Sequence, residues 1–90
     1  MKTIDEIRFS SEARNFIKKS DQKLKQQLKN SIESLKKMPP LGDIKPLVGY
    51  KDGRMRMRIG KNRIIFRYEQ QGNLTILHII DIGSRGDVYK

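Results

Sequence analysis

The 90-residue chain has no cysteine and a single histidine. Disulfides and thiolate metal sites are therefore excluded, and a structural zinc site lacks its usual ligands. Long apolar runs are missing as well. Met1-Lys2-Thr3-Ile4-Asp5-Glu6 has no apolar stretch of signal-peptide length, and no later segment approaches a membrane span. The expectation is a soluble, cytoplasmic protein. Negative charge is also scarce: 10 Asp and Glu stand against 20 Lys and Arg, a formal net charge of +10. That excess makes nucleic acid, an anionic membrane surface or an acidic protein the candidate partners, and the placement of the charge must choose among them.

Ninety residues suit one domain, residues 1–90, whose small core buries only roughly 60–70% of the unfolded surface. Ile4, Ile7 and Phe9 among polar neighbours read as a first strand. Ser10-Ser11-Glu12 then supplies a hydroxyl cap and a first-turn acid for a short helix carrying Ala13, Phe16 and Ile17. Asp21 caps a second helix, in which Leu24, Leu28, Ile32 and Leu35 share one face until Met38-Pro39-Pro40 stops it. The two helices are joined by so little chain that they should fold back as a hairpin.

Residues 39–53, with three prolines and Gly42, Gly49 and Gly53, read as a loop. Three strands follow. The first alternates Met55, Met57 and Ile59 with Arg54, Arg56 and Arg58. After a turn at Gly60-Lys61-Asn62, Arg63 to Tyr68 alternates again, and Gln70 to Asn73 makes the next turn. Leu74 to Ile82 is apolar on both faces, as an interior strand is, and residues 83–90 read as a polar tail. A strand, a two-helix hairpin and a three-stranded antiparallel meander, with the helices on one sheet face, define an α+β fold.

The charge is concentrated in the meander. Between Arg54 and Tyr68 lie six basic residues and no acidic one. Strand alternation places Arg54, Arg56 and Arg58 opposite the methionine face that the helices need to cover, and Arg63 and Arg67 join them on the open face. Five guanidiniums on one ribbon repel one another unless an anion sits among them, and arginine's planar fork suits phosphate. A face kept basic only for solubility or edge protection needs fewer charges. The lysines Lys18, Lys19, Lys23, Lys25, Lys29, Lys36 and Lys37 are dispersed along the helices and read as a solvated surface. His78, in phase with Ile76 and Ile80, reads as a buried structural histidine rather than a base. Asp81 and Asp87 read as partners of nearby arginines, Tyr50 and Tyr68 as loop or packing residues.

With these residues in view, the chain resembles the RelE/ParE toxin superfamily over nearly its whole length. The features that match are the early strand and helical pair, Lys45-Pro46-Leu47-Val48-Gly49, the Arg-Met-Arg-Met-Arg-Ile-Gly-Lys-Asn-Arg-Ile-Ile-Phe block at 54–66 and the Arg85-Gly86-Asp87-Val88-Tyr89 ending. The resemblance, to the RelE branch in particular, implies a type II toxin that enters the ribosome and cleaves mRNA without a metal or cofactor. It implies catalytic roles for Arg54, Arg56, Arg63, Arg85 and Tyr89, with Arg58, Lys61, Arg67, Lys51 and Lys90 holding RNA. It also implies an acidic, partly disordered antitoxin, operator DNA bound through the antitoxin complex, and no membrane. Relatives often carry lysine where this chain has Arg54, Arg56 and Arg58, and arginine is a poor base, so the proton acceptor stays unassigned. Two other readings share the fold and charge: a ParE-like gyrase inhibitor that cuts nothing, and a non-catalytic basic RNA- or DNA-binding module.

Overall fold

The computed structural model describes residues 4–37 and 42–84. The elements run β1 (Glu6–Phe9), α1 (Ser11–Lys19), α2 (Gln22–Leu35), β2 (Asp43–Pro46), β3 (Met55–Ile59), β4 (Asn62–Gln71) and β5 (Leu74–Ser84). The five strands form one sheet in the order β1-β5-β4-β3-β2. β1 runs parallel to β5 and every other pairing is antiparallel. The α+β expectation holds, with both helices covering one face.

Local chemistry explains the helix boundaries. Ser10 Oγ accepts from Ala13 N at 3.0 Å, and Asp21 Oδ1 accepts from Leu24 N at 2.8 Å. Each cap satisfies an amide that the first turn leaves without an intrahelical partner. α1 also has Glu12 in its first turn and Lys18 and Lys19 in its last, matching the helix dipole. The apolar stripe Leu28, Ile32 and Leu35 then packs with Ala13 against Met57, Ile64, Phe66, Leu77, Ile79 and Ile82. Burying each large side chain of this set contributes about 1.5–3 kcal/mol. Met38, Pro39 and Pro40, the expected stop of α2, lie outside the described residues.

Residues 39–53 are not all loop. Asp43–Pro46 pairs with β3, Ile44 opposite Met57, as an edge strand. Four residues ending in proline carry no strand signal of their own; an edge position tolerates the missing amide, and pairing with β3 makes the strand. β5 likewise runs further than its apolar run, because Gly83 and Ser84, expected in the tail, still pair with Arg63 and Asn62. Two-residue turns close the β3–β4 and β4–β5 hairpins, with Gly60 and Gly72 each at φ 59° in the first turn position. Glycine takes that left-handed conformation without the penalty a Cβ brings.

A bulge interrupts the β4–β5 ladder: Ile65 faces Asp81 whereas Phe66 faces Ile79, leaving Ile80 as the extra residue. The same Ser10 hydroxyl that caps α1 donates to Ile80 O at 2.5 Å. One side chain thus starts the helix and satisfies the bulge. On the other side of the core, Tyr68 Oη donates at 2.6 Å to Leu35 O, in the last turn of α2, while the Phe66 ring meets Tyr68 edge-on. Burial pushes the Tyr68 phenol from 10.0 up to about 12. The folded state therefore resists its ionisation; this stabilisation is complete below pH 10 and is lost as pH rises towards about 12. Tyr68→Phe should lower stability at neutral pH by about 1 kcal/mol, the worth of one such hydrogen bond. The same variant should flatten the alkaline part of the stability profile, and urea unfolding at pH 7 and pH 11 measures both effects.

Candidate nucleic-acid interface

Strand register decides which side chains share the helix-free face. Met55 and Met57 lie opposite Phe66 and Ile64 in the core, so Arg56 and Arg58 project the other way, with Arg54 at the foot of β3. Arg63 stands opposite Arg58. Arg67 stands opposite His78, which in turn lies opposite Arg8 of β1. Rows of charge therefore cross the sheet. One contains Asp43, Arg58 and Arg63, a second Lys45, Arg56 and Asp81, and a third Arg67, His78 and Arg8. The five arginines singled out by alternation do lie on one face, and the structure adds Arg8 to them.

The row is not left uncompensated, contrary to the sequence reading. Asp43 on β2 lies between two arginines: its Oδ1 is 3.6 Å from Arg56 Nη1 and its Oδ2 is 3.7 Å from Arg58 Nε. Arg56 Nη1 also donates to Asp43 O at 3.2 Å. Arg54 Nε donates to Asp52 at 2.9 Å, and Arg67 Nε lies 3.9 Å from the same carboxylate oxygen. Arg67 Nη2 donates to Glu69 Oε1 at 2.8 Å, and Arg8 pairs with Glu6. The acids come from β1, from β2, from the loop after it and from beyond Tyr68, outside the stretch of sequence that looked purely basic. Arg54 hydrogen-bonds Asp52 and holds its carboxyl below the usual range. Glu69 is lowered too, first by a hydrogen bond from Gln71 and then by the charges of Arg67 and His78.

Exposure also differs from expectation. Arg56 and Arg63 are buried, at 8% and 7%, rather than open to solvent. Arg63 lies on β4, central even in a three-stranded meander, and Arg56 lies on β3, whose otherwise bare edge β2 covers. Arg58, Lys61 and Lys51 are exposed and Arg54 and Arg67 half-buried. His78 is the third difference. It is not a buried structural histidine but a half-buried residue on the helix-free face, its Nε2 3.0 Å from Glu69 Oε1, without the angle of a hydrogen bond. His78 does keep phase with Ile76, but the face they share is the one that no helix covers. Asp81 turns Oδ1 to the Ile82 amide at 2.9 Å. Tyr50 is a loop residue, as read, with the Arg54 guanidinium 4.6 Å above its ring. Arg85, Asp87, Tyr89 and Lys90 lie outside the described residues.

Two concavities open on this face. One, about 250 Å³, lies at the β3–β4 hairpin between Arg58, Gly60, Lys61 and Arg63. The other, about 390 Å³, is bordered by Arg8, Ser10, Asp52, Arg54, Arg67 and His78. Among the described residues no three His, Asp or Glu side chains are grouped to hold a metal ion, and no helix is long and apolar enough to cross a membrane. Arg8 and His78 were missed as site residues. Arg8 alternates with Ile7 and Phe9, a signal for one exposed side chain, but only the parallel β1–β5 pairing shows what it stands beside.

Comparison with known proteins places the chain and its fold. Residues 6–89 match the family described as ParE toxin of type II toxin-antitoxin system, parDE. The chain belongs to the ParE toxin family. No curated protein sequence matches it. The YoeB/ParE toxin from Agrobacterium tumefaciens superposes with a TM-score of 0.74 at 20% identity, covering 88% of this chain and 97% of that one. RelE in the archaeal RelE–RelB complex from Pyrococcus horikoshii gives 0.72 at 18% identity over 96% and 99% of the two chains. The RelBE2 toxin–antitoxin complex from Mycobacterium tuberculosis gives 0.68 at 21% identity, with 94% and 100% covered. These likenesses establish the fold of the toxin, which is that of the RelE/ParE superfamily.

Proposed function

We propose that the toxin is a metal-independent endoribonuclease that acts in the cytoplasm on mRNA held by the ribosome. The observation that carries this reading is the convergence of Arg56, Arg58 and Arg63 from neighbouring strands, with Lys61 at the rim of the hairpin concavity. In RNA the nucleophile comes with the substrate. The 2′-hydroxyl oxygen attacks the adjacent phosphorus, the bond to the 5′-oxygen breaks, and the products are a 2′,3′-cyclic phosphate and a 5′-hydroxyl. The proton leaves the 2′-oxygen and a proton reaches the departing 5′-oxygen. Negative charge accumulates on the phosphoryl oxygens meanwhile, and fixed guanidiniums in a partly dry site stabilise it. Arg63 and Arg56 fit this role because burial fixes them; Arg54 adds a third cation. Arg85 and Tyr89 complete the set that the family resemblance implies, and Arg58, Lys61, Arg67, Lys51 and Lys90 would hold the flanking backbone.

The toxin's antagonist in this reading is an acidic, partly disordered antitoxin, supported by neighbours that were solved as complexes of RelE with RelB. The complex would bind operator DNA through the antitoxin. Purified toxin added to a translation extract should cut ribosome-bound message and leave cyclic phosphate and 5′-hydroxyl ends. A second reading, gyrase inhibition without cleavage, is favoured by the ParE family match and by the carboxylates already paired with Arg54, Arg56 and Arg67. Intact message together with blocked supercoiling by gyrase would overturn the nuclease reading in its favour. Intact message with supercoiling unaffected would leave a binding module.

A further inference from the structure

The loop between β2 and β3 carries a carboxylate into the larger concavity. Leu47 N donates to Arg54 O at 3.0 Å and ties the feet of this loop together. Between them residues 48–53 are exposed, with Gly49 and Gly53 at φ 92° and 82°. The turn aims Asp52 at two cations, and its Oδ2 lies 2.9 Å from Arg54 Nε and 3.9 Å from Arg67 Nε. Arg8 and His78 close the far side. Arg67 is in turn steadied by Glu69, which also lies 3.0 Å from His78.

We infer that this concavity is a phosphate-binding subsite for the RNA strand, and that Asp52 is an internal stand-in for the phosphate, displaced when the backbone enters. The inference rests on RNA being the ligand and deepens that reading. Its basis is a mismatch of shape and strength. Asp52 satisfies Arg54 well and Arg67 poorly, and it leaves Arg8 and His78 to other contacts. A phosphodiester has oxygens on several sides and can take both guanidinium forks together. An ion pair this exposed holds weakly, so the carboxylate is readily exchanged for a better anion. Along β4, Arg67 is four residues from Arg63, a separation of about 13 Å at the usual strand rise. That spacing sets the subsite beside the hairpin concavity rather than within it, where a phosphate about two nucleotides from the scissile one would pass.

The test is binding of a short RNA oligonucleotide made uncleavable by 2′-deoxy substitution, followed by fluorescence anisotropy on the whole toxin. Asp52→Asn should bind about two- to fivefold more tightly than the parent, the range expected for removing an exposed competing carboxylate. Glu33→Gln removes the same charge from the exposed surface of α2, next to Lys36, and should bind as the parent does. Arg67→Gln and Arg8→Gln should weaken binding, each lowering the salt slope by about 0.7 for one lost single-strand phosphate contact. His78→Gln should weaken binding less. An Asp52→Asn affinity equal to that of Glu33→Gln, or no binding by any variant, overturns the subsite. A tighter Asp52→Asn in a toxin that leaves message intact would remove the nuclease reading and keep the subsite; cleavage without that gain would do the reverse.

Discussion

On the proposed ribonuclease reading, Arg63→Ala is expected to slow cleavage of ribosome-bound message by about two to three orders of magnitude, the usual loss when one fixed donor to a developing oxyanion is removed. Arg63 is the strongest candidate for such an effect because the fold leaves it little freedom. It is the second residue of β4 after the hairpin turn, faces Arg58 across the ladder, and has Gly83, with no side chain, on its other side. At 7% exposure its guanidinium works in surroundings drier than bulk water, where a charge acts more strongly on its neighbour. Arg63→Lys should fall between parent and alanine, since it keeps the charge and loses the planar fork. Cleavage ends counted by primer extension give the rates, and a thermal melt of each variant separates lost chemistry from lost fold. A folded Arg63→Ala variant that cuts as fast as the parent removes Arg63 from the mechanism.

Phe66→Ala should cost about 3–5 kcal/mol of stability. A 90-residue domain is stable by only about 5–14 kcal/mol, so the variant forfeits a large part of the total. Phe66 is fully buried at the middle of β4, between Met55 on β3 and Ile79 on β5, with its ring against Tyr68. It also adjoins the β5 bulge, where the ladder is already one residue out of step and poorly able to close a hole. Urea unfolding should show a lower midpoint with an unchanged slope. A loss under about 1 kcal/mol would mean that the core refills the space and that Phe66 is not its centre.

Local chemistry made much of this molecule legible. Ser10 and Asp21 announced two helices through capping, and the alternation of Arg54 to Ile59 correctly assigned both faces of β3. Features that depend on distant pairing were not visible. β2 is four weakly patterned residues that become a strand only beside β3. β1 joins β5 across about seventy residues, so nothing near Arg8 indicates that it stands beside His78. Asp43, Asp52 and Glu69 lie outside the basic block in sequence and inside it in space, which turned an apparently bare arginine row into a compensated one. His78 was misjudged for another reason: it shares a face with the buried Ile76, but no helix covers that face, so keeping phase with an apolar residue did not bury the imidazole.

The position of β5 has a consequence for how the toxin comes into being. It lies between β1 and β4, so the first strand has no ladder partner until residues 74–84 have been synthesised. Contacts of such long sequence separation form late and slowly. A nascent chain still being threaded out of the ribosome therefore carries its arginines without the surface that orders them, and the basic face is assembled only when β5 arrives.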